Sequence, residues 1–184
     1  MQKTIKYTIF KTKWGYFGLA GSENALLRTH LPLRNLEKVK SRLLKMLFAV
    51  RESSIEYRES RIEFDKALFK TLQQQITAYF QSTYVDFNKD IPIVLDGLSL
   101  FANSVLSACR DIGHGQTTTY GRLAQKVGRP TCSRAVGRAL AKNPLPLIIP
   151  CHRVVCANGK IGGFSASGGT NLKKRLLKHE QHRF

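Results

Sequence analysis

Three residues in one short stretch can do chemistry together: Cys151, His152 and Arg153 in "IPCHRVV", residues 149–155. A free thiol ionises near pH ~8.5, so only a few per cent is thiolate at neutrality. The thiolate is the nucleophile. An imidazole within hydrogen-bond reach, directly or through one water, can take its proton. The imidazole then needs an orienting group, commonly a carboxylate. After residue 94 the chain offers three carboxylates: Asp96, Asp111 and Glu180. Glu180 ends an amphipathic segment, "NLKKRLLKHE", that could fold back on the cysteine. Apolar "LII" and "VV" flank the trio, which reads as a buried strand–turn–strand. Burying His and Arg without partners is costly, so the trio is expected to line a pocket. Cysteine beside histidine is by itself a common coincidence, and strand neighbours point to opposite faces. The pair becomes informative through what precedes it.

Two helical patterns stand directly upstream. "TTYGRLAQKVG" (118–128) offers a threonine as a cap, a face of Leu123, Ala124 and Val127, and Gly128 as terminator. "CSRAVGRALAKN" (132–143) offers Ser133 as a cap and Val136, Ala139 and Leu140 as an inner face. Helix, tight turn, helix is the helix-turn-helix pattern of nucleic-acid readers. Arg134, Arg138 and Lys142 are four apart and share a face. Ala135, Gly137, Ala139 and Ala141 are small enough for a partner's backbone to come close. A nucleophile beside such a helix suggests chemistry on the nucleic acid itself.

Charge agrees. The net formal charge is +18, which implies a polyanionic partner, nucleic acid before an anionic membrane. From Ile112 to His179 there is no acidic residue, leaving a basic region with nothing to repel phosphates.

The rest of the chain supplies scaffold. The 184 residues, 42% hydrophobic, suffice for two small domains. "IKYTIFK", "GYFGLA" and "ALLRTHL" read as three antiparallel strands ending at Pro32. Leu36, Val39, Leu43, Leu44 and Leu47 form one helical stripe, and Phe64, Leu68, Leu72, Ile76 and Phe80 a second. Residues 86–99 read as a connection, and 99–111 as a helix packed through Phe101, Val105, Leu106 and Cys109. The expected fold class is α/β (α+β): residues 1–90 a small antiparallel sheet with helices, residues 95–184 a mostly helical DNA-binding domain. No apolar run reaches the ~18 residues of a membrane span, and no secretory segment is evident. The four cysteines, Cys109, Cys132, Cys151 and Cys156, contain no CxxC pair and read as free thiols. These features point to an intracellular protein, cytoplasmic and nucleoid-associated or nuclear, without cofactor or metal.

"RAVGRALAKNPLPLIIPCHRVV", followed by "GKIGGF" and "LKKRLLKHE", closely resembles the O6-alkylguanine-DNA alkyltransferases, also called methylated-DNA–protein-cysteine methyltransferases. The resemblance covers residues 97–184 well, and implies a winged helix-turn-helix arrangement there. It implies that Cys151 takes the alkyl group irreversibly from guanine O6 in duplex DNA, once per molecule. His152 would be the water-mediated base, held by Glu180, with Asn143 organising the site and Tyr120 giving a proton to the leaving guanine. Arg134 would fill the gap left by the flipped nucleotide, while Thr119, Tyr120, Ala135, Arg138, Ala141 and Lys142 meet the minor groove. Ser165, Phe164, Leu140 and Val154 would contact the base, and a monomer is implied. Phe164 replaces the family's usual tyrosine, "FSASGG" is longer than the common pattern, Leu106 stands where an aromatic is common, and no cysteine precedes Cys109 for the zinc site of some relatives. Two other functions compete: a lesion-binding protein without transfer, which Cys151 argues against, and a Cys–His–Glu hydrolase, which leaves the basic helix pair unexplained.

Overall fold

The computed structural model describes residues 3–87 and 91–181. The chain divides into two compact units, Met1–Gly97 and Leu98–Phe184.

In the first unit, β1 (Thr4–Thr12) and β2 (Gly15–Gly21) form an antiparallel hairpin, and β3 (Leu26–Leu33) pairs antiparallel with β2. The hairpin turn needs glycine: Gly15 has φ +126°, and a Cβ there would lie 2.5 Å from the Leu33 carbonyl oxygen. Pro32 lies inside β3 rather than ending it. The strand is at the sheet edge, and the register shifts between Tyr16 and Gly18, so the missing N–H breaks no regular ladder. Helix α1 (Leu36–Ser53) is capped by Asn35, whose side chain accepts from the Lys38 N–H. It buries Val39, Leu43, Leu47 and Val50, packing with Ile5, Tyr7, Ala20 and Leu27 on one face of the sheet.

A fourth strand, β4 (Arg61–Phe64), pairs parallel with β1, so the sheet is mixed, in the order β3-β2-β1-β4. This corrects the second helical stripe: Phe64 is a strand residue, 57% exposed, with its ring 5.6 Å from Tyr7. Helix α2 (Lys70–Phe80) begins after it and buries Leu72, Ile76, Tyr79 and Phe80. Phe80 stacks against Trp14 and Phe17 on the second face of the sheet. Of the expected connection, residues 88–90 lie outside the described residues; Ile93 bridges to Leu26 in the first unit.

The second unit is mostly helical. Helix α3 (Leu100–Arg110), capped by Ser99, buries Ala102, Val105, Leu106 and Cys109. Phe101 is only half-buried, and Ala102 takes the core position expected for it. Two residues of β5 (Thr118–Thr119) pair parallel with β6 (Val154–Val155). Thr119 caps α4 (Tyr120–Lys126), its hydroxyl accepting from the Arg122 N–H. Gly128, at φ +72°, takes the left-handed conformation that lets the chain leave this helix. Helix α5 (Ser133–Ala141) follows; Ser133 is its first residue and not its cap, a position held by Cys132 without a side-chain bond. Helices α3, α4 and α5 pack on one another. Helix α6 (Gly169–Gln181) packs on the Cys151 segment. Among the described residues no helix is long and apolar enough to cross a membrane.

Candidate active site

The expected strand before Pro150 is absent. Asn143, Pro144 and Pro146 direct the chain through an irregular path instead, with a turn closed by Ile149 N–H donating to Leu145 O at 2.8 Å. A single 3₁₀ turn, Cys151–Arg153, then leads into β6. This turn, unlike a strand, lets three successive polar side chains take three different directions. All three are buried, at 8%, 0% and 3% exposure for Cys151, His152 and Arg153.

Glu180, near the end of α6, receives two of them. His152 Nε2 lies 2.8 Å from Glu180 Oε1. Arg153 forks onto the same carboxylate, Nε to Oε2 and Nη2 to Oε1, both at 2.9 Å. Its Nη1 donates to Ile112 O at 2.6 Å, and the Gly115 N–H donates to Glu180 Oε2 at 3.3 Å. Burial alone would raise the carboxyl's pKa, but the bonds and charges of His152 and Arg153 hold it well below the usual carboxylate range. Glu180 is therefore an anion and can only accept, so His152 must donate from Nε2. That leaves Nδ1 as the ring's free acceptor in the neutral form. It is buried and has no protein hydrogen-bond partner. Burial lowers the pKa of His152, despite Glu180, so the neutral form prevails at pH 7.

Cys151 turns away from this pair into a cavity of about 670 Å³. Asn143 Nδ2 donates to Cys151 Sγ at 3.1 Å and to Ile149 O at 2.8 Å, while its Oδ1 accepts from the Leu145 N–H. Burial raises the thiol pKa; the Asn143 bond, the charge of Lys173 and neighbouring backbone N–H groups favour the thiolate but do not offset it. The thiol therefore needs a base to ionise. Cys109, on α3, is fully buried and pushed well up by burial, a core residue as its spacing predicted.

The cavity is lined by Tyr120 and Ser133, by Arg134, Gly137, Arg138, Leu140 and Ala141 along α5, and by Cys151, Cys156 and the loop Gly162–Ser165. Thus Tyr120, Arg134, Arg138, Leu140, Ala141, Phe164 and Ser165 stand together around the sulfur. Ser165 Oγ donates to Ala141 O at 3.0 Å, tying loop to helix. Arg134, Arg138 and Lys142 are exposed. Lys142, Thr119 and Ala135 do not line the cavity. Val154 does not line the cavity: it is fully buried in β6, and its carbonyl accepts from Lys173. Three participants escaped the sequence reading. Arg153 was seen but given no partner, Cys156 was read only as a free thiol, and Lys173 was hidden in a run of lysines that looked solvated.

Comparison with known proteins places this geometry. The family model "6-O-methylguanine DNA methyltransferase, DNA binding domain" matches residues 100–182, from α3 to α6. A methylated-DNA–protein-cysteine methyltransferase of Methanosarcina acetivorans is 34% identical over 174 residues, covering 95% of this chain and 97% of that one. One from Mycobacterium bovis is 38% identical over 129 residues, covering 69% and 75%. The crystal structure of Mycobacterium tuberculosis OGT in complex with DNA superposes with a TM-score of 0.73 at 30% identity, covering 97% and 94%. The chain belongs to the methylated-DNA–protein-cysteine methyltransferase family.

Proposed function

We infer that this protein repairs DNA by moving the alkyl group of O6-alkylguanine onto Cys151, once per molecule. What supports the reading most directly is the division of labour at the 3₁₀ turn: the sulfur opens on the cavity, while Glu180 ties down one imidazole nitrogen and leaves the other free.

The alkyl carbon of a stacked guanine is out of reach of a buried sulfur, so the nucleotide must leave the helix. A cavity of about 670 Å³ is large enough for a nucleobase. Leu140, Phe164 and Ser165 would surround the base there. Arg134, exposed at the start of α5, would occupy the vacated space in the duplex. Arg138 and Lys142 continue the same face towards phosphates, with Ala135 and Ala141 permitting close approach to a minor groove only ~6 Å wide. Thr119 would meet the backbone from the start of α4.

His152 Nδ1, which has no protein partner, takes the thiol proton through one water. The thiolate attacks the alkyl carbon in line. The new S–C bond forms as the C–O6 bond breaks, and the electron pair returns to the purine. Tyr120 donates the proton that the departing guanine needs. A neutral thioether is a poor electrophile even with the Cys156 thiol in the same cavity, so the thiol is not restored. The protein acts as a monomer in the compartment that holds the DNA.

The test is incubation with duplex DNA carrying labelled O6-methylguanine. Label appearing on the Cys151 peptide, at no more than one methyl per chain, is the expected result. Tight binding without transfer would instead favour a lesion-binding protein. Gly137 gives a second expectation. An alanine Cβ there would sit 3.7 Å from the Tyr120 ring, an ordinary contact. Gly137→Ala should stabilise the helix by ~1 kcal/mol, raising the melting temperature by about 2–4 °C. Transfer should nevertheless slow, because the added methyl narrows the cavity between Tyr120 and the base. Calorimetry and single-turnover kinetics on the same sample check both halves.

A further inference from the structure

Two thiols face one cavity. Cys151 and Cys156 both line it, and they stand five positions apart in the chain. The backbone on either side of the second thiol is fixed. Val154 and Val155 pair with Thr118 and Thr119. The Cys156 N–H donates to Lys160 O at 2.9 Å, and its carbonyl accepts from the Gly159 N–H at 3.2 Å. These contacts hold the sulfur beside the Tyr120 hydroxyl. A Cβ at Gly162 would lie 2.9 Å from Tyr120 Oη and 3.3 Å from Cys156 Sγ, so the two atoms are no more than 6.2 Å apart. Glycine at 162, with φ +75°, keeps that corner of the cavity open. Cys109 shows the contrast: it is fully buried on α3, whereas Cys156 is half-buried at the cavity wall. A sulfur at the wall can meet whatever enters.

After methyl transfer the product thioether offers Cys156 no carbon it can attack. An alkyl group with a leaving atom at its far end is different. We propose that Cys156 is a second acceptor, which captures bifunctional alkyl groups delivered to Cys151 as O6-(haloalkyl)guanines. The proposal rests on the alkyl-transfer reading and extends its substrate class. The first S–C bond forms as for a methyl group. The Cys151 thioether sulfur then displaces halide from the far carbon. A second S–C bond forms, the C–halogen bond breaks, and the halide leaves with its electron pair. The product is a cyclic sulfonium, a far stronger electrophile than the thioether. The Cys156 sulfur attacks one ring carbon, the bond from that carbon to Cys151 breaks, and its pair returns to the Cys151 sulfur. The Cys156 proton passes to water. An alkylene bridge now joins two neutral thioethers, and no electrophile remains to react with the bound DNA.

Duplexes carrying O6-methyl-, O6-(2-chloroethyl)- or O6-(4-chlorobutyl)guanine, freshly prepared, are mixed with the unsubstituted protein, C156S and C156A. Of the four free thiols, titration after denaturation should find three left after methyl transfer and two after capture. Trypsin cuts after Arg153, between the two cysteines. A bridge therefore appears in the mass spectrum as two peptides joined by one alkylene, with the halogen and both thiol hydrogens gone. A positioned sulfur should outrun water, so with at least one haloalkyl duplex the bridge should exceed hydroxyalkyl-Cys151 by about tenfold or more. In C156S and C156A the bridge should vanish, replaced by hydroxyalkyl-Cys151 and covalent protein–DNA adducts. Products are counted per alkylated chain, so a changed transfer rate does not enter. The proposal is overturned if Cys156 stays free in chains alkylated at Cys151 by either haloalkyl duplex. It is also overturned if the methyl group is transferred and neither haloalkyl group is. If C156S and C156A do not fold, the peptide map of the unsubstituted protein decides alone. Failure of that protein to take up even the methyl group would refute the alkyl-transfer reading instead, so the two failures are distinguishable.

Discussion

Cys151→Ala is expected to abolish transfer completely while leaving duplex affinity within about twofold, because a sulfur without a phosphate contact contributes nothing to the electrostatic binding term. The loss is total because the acceptor atom itself is gone, and no other thiol has the same surroundings. Cys109 is sealed in the core, and Cys156, though it lines the cavity, has no histidine held beside it by a carboxylate. The fold should survive. Asn143 would lose Sγ as an acceptor but keep its 2.8 Å bond to Ile149 O, so the end of α5 stays joined to the turn. Label transfer and fluorescence anisotropy on the same duplex measure the two quantities separately. Residual transfer by Cys151→Ala, with label on Cys156, would show that the wrong sulfur had been chosen.

The second large effect belongs to Glu180. Glu180→Ala removes the acceptor of two Arg153 bonds and of the His152 bond, leaving a guanidinium buried at 3% exposure without its carboxylate. Breaking a buried ion pair on one side costs about 3–5 kcal/mol, a large part of a typical stability of ~5–15 kcal/mol. Urea denaturation should show a midpoint well below that of the unsubstituted protein. Activity should fall further than the remaining folded fraction explains, because an imidazole released from Glu180 no longer presents Nδ1 as its only acceptor. The pH dependence has a definite sign. The Glu180 carboxyl ionises at lower pH in the folded state than in the unfolded chain. Its contribution is therefore fully present above the unfolded value of ~4.3 and is lost as pH falls below it. His152, kept neutral by burial, adds a loss that begins as pH falls through ~6.5, where the unfolded imidazole takes up a proton that the folded one refuses. Glu180→Gln should remove the first of these acid losses and keep the second. Denaturation midpoints at a series of pH values separate them.

What could be read from the chain depended on whether a residue's neighbours in sequence were also its neighbours in space. The paired helices α4 and α5 follow from local periodicity and a capping threonine, and the structure has them at Tyr120–Lys126 and Ser133–Ala141. The His152–Glu180 contact spans 28 positions, yet it was legible because carboxylates are so scarce in this half of the chain. Strand β4 was not legible. Its four residues have one half-buried side chain and no alternation, and only their pairing with β1 makes them a strand. Phe64 consequently seemed to continue a helical stripe. The turn at Cys151 and the strand after it fall where expected, but the segment before Pro150 reads as a strand only because Leu, Ile and Ile are apolar; its prolines and the Asn143 bonds impose an irregular path instead. Lys173 was obscured for a different reason. In "NLKKRLLKHE" it stands among other cations, and which of them faces inward depends on where α6 packs.

The short ladder between β5 and β6 has a mechanical consequence. Thr118–Thr119 pair with Val154–Val155, so the cap of α4 and the residues just beyond Cys151 are stitched into one piece. Helix α5 packs on α4 at one end of this piece, and its own exit is tied to Cys151 through Asn143 at the other. A tilt of either helix against a bound duplex would thus carry the sulfur with it, and the depth of insertion and the aim of the attack become a single coordinate. One residue inserted between Thr119 and Tyr120 would throw the whole lever out of alignment.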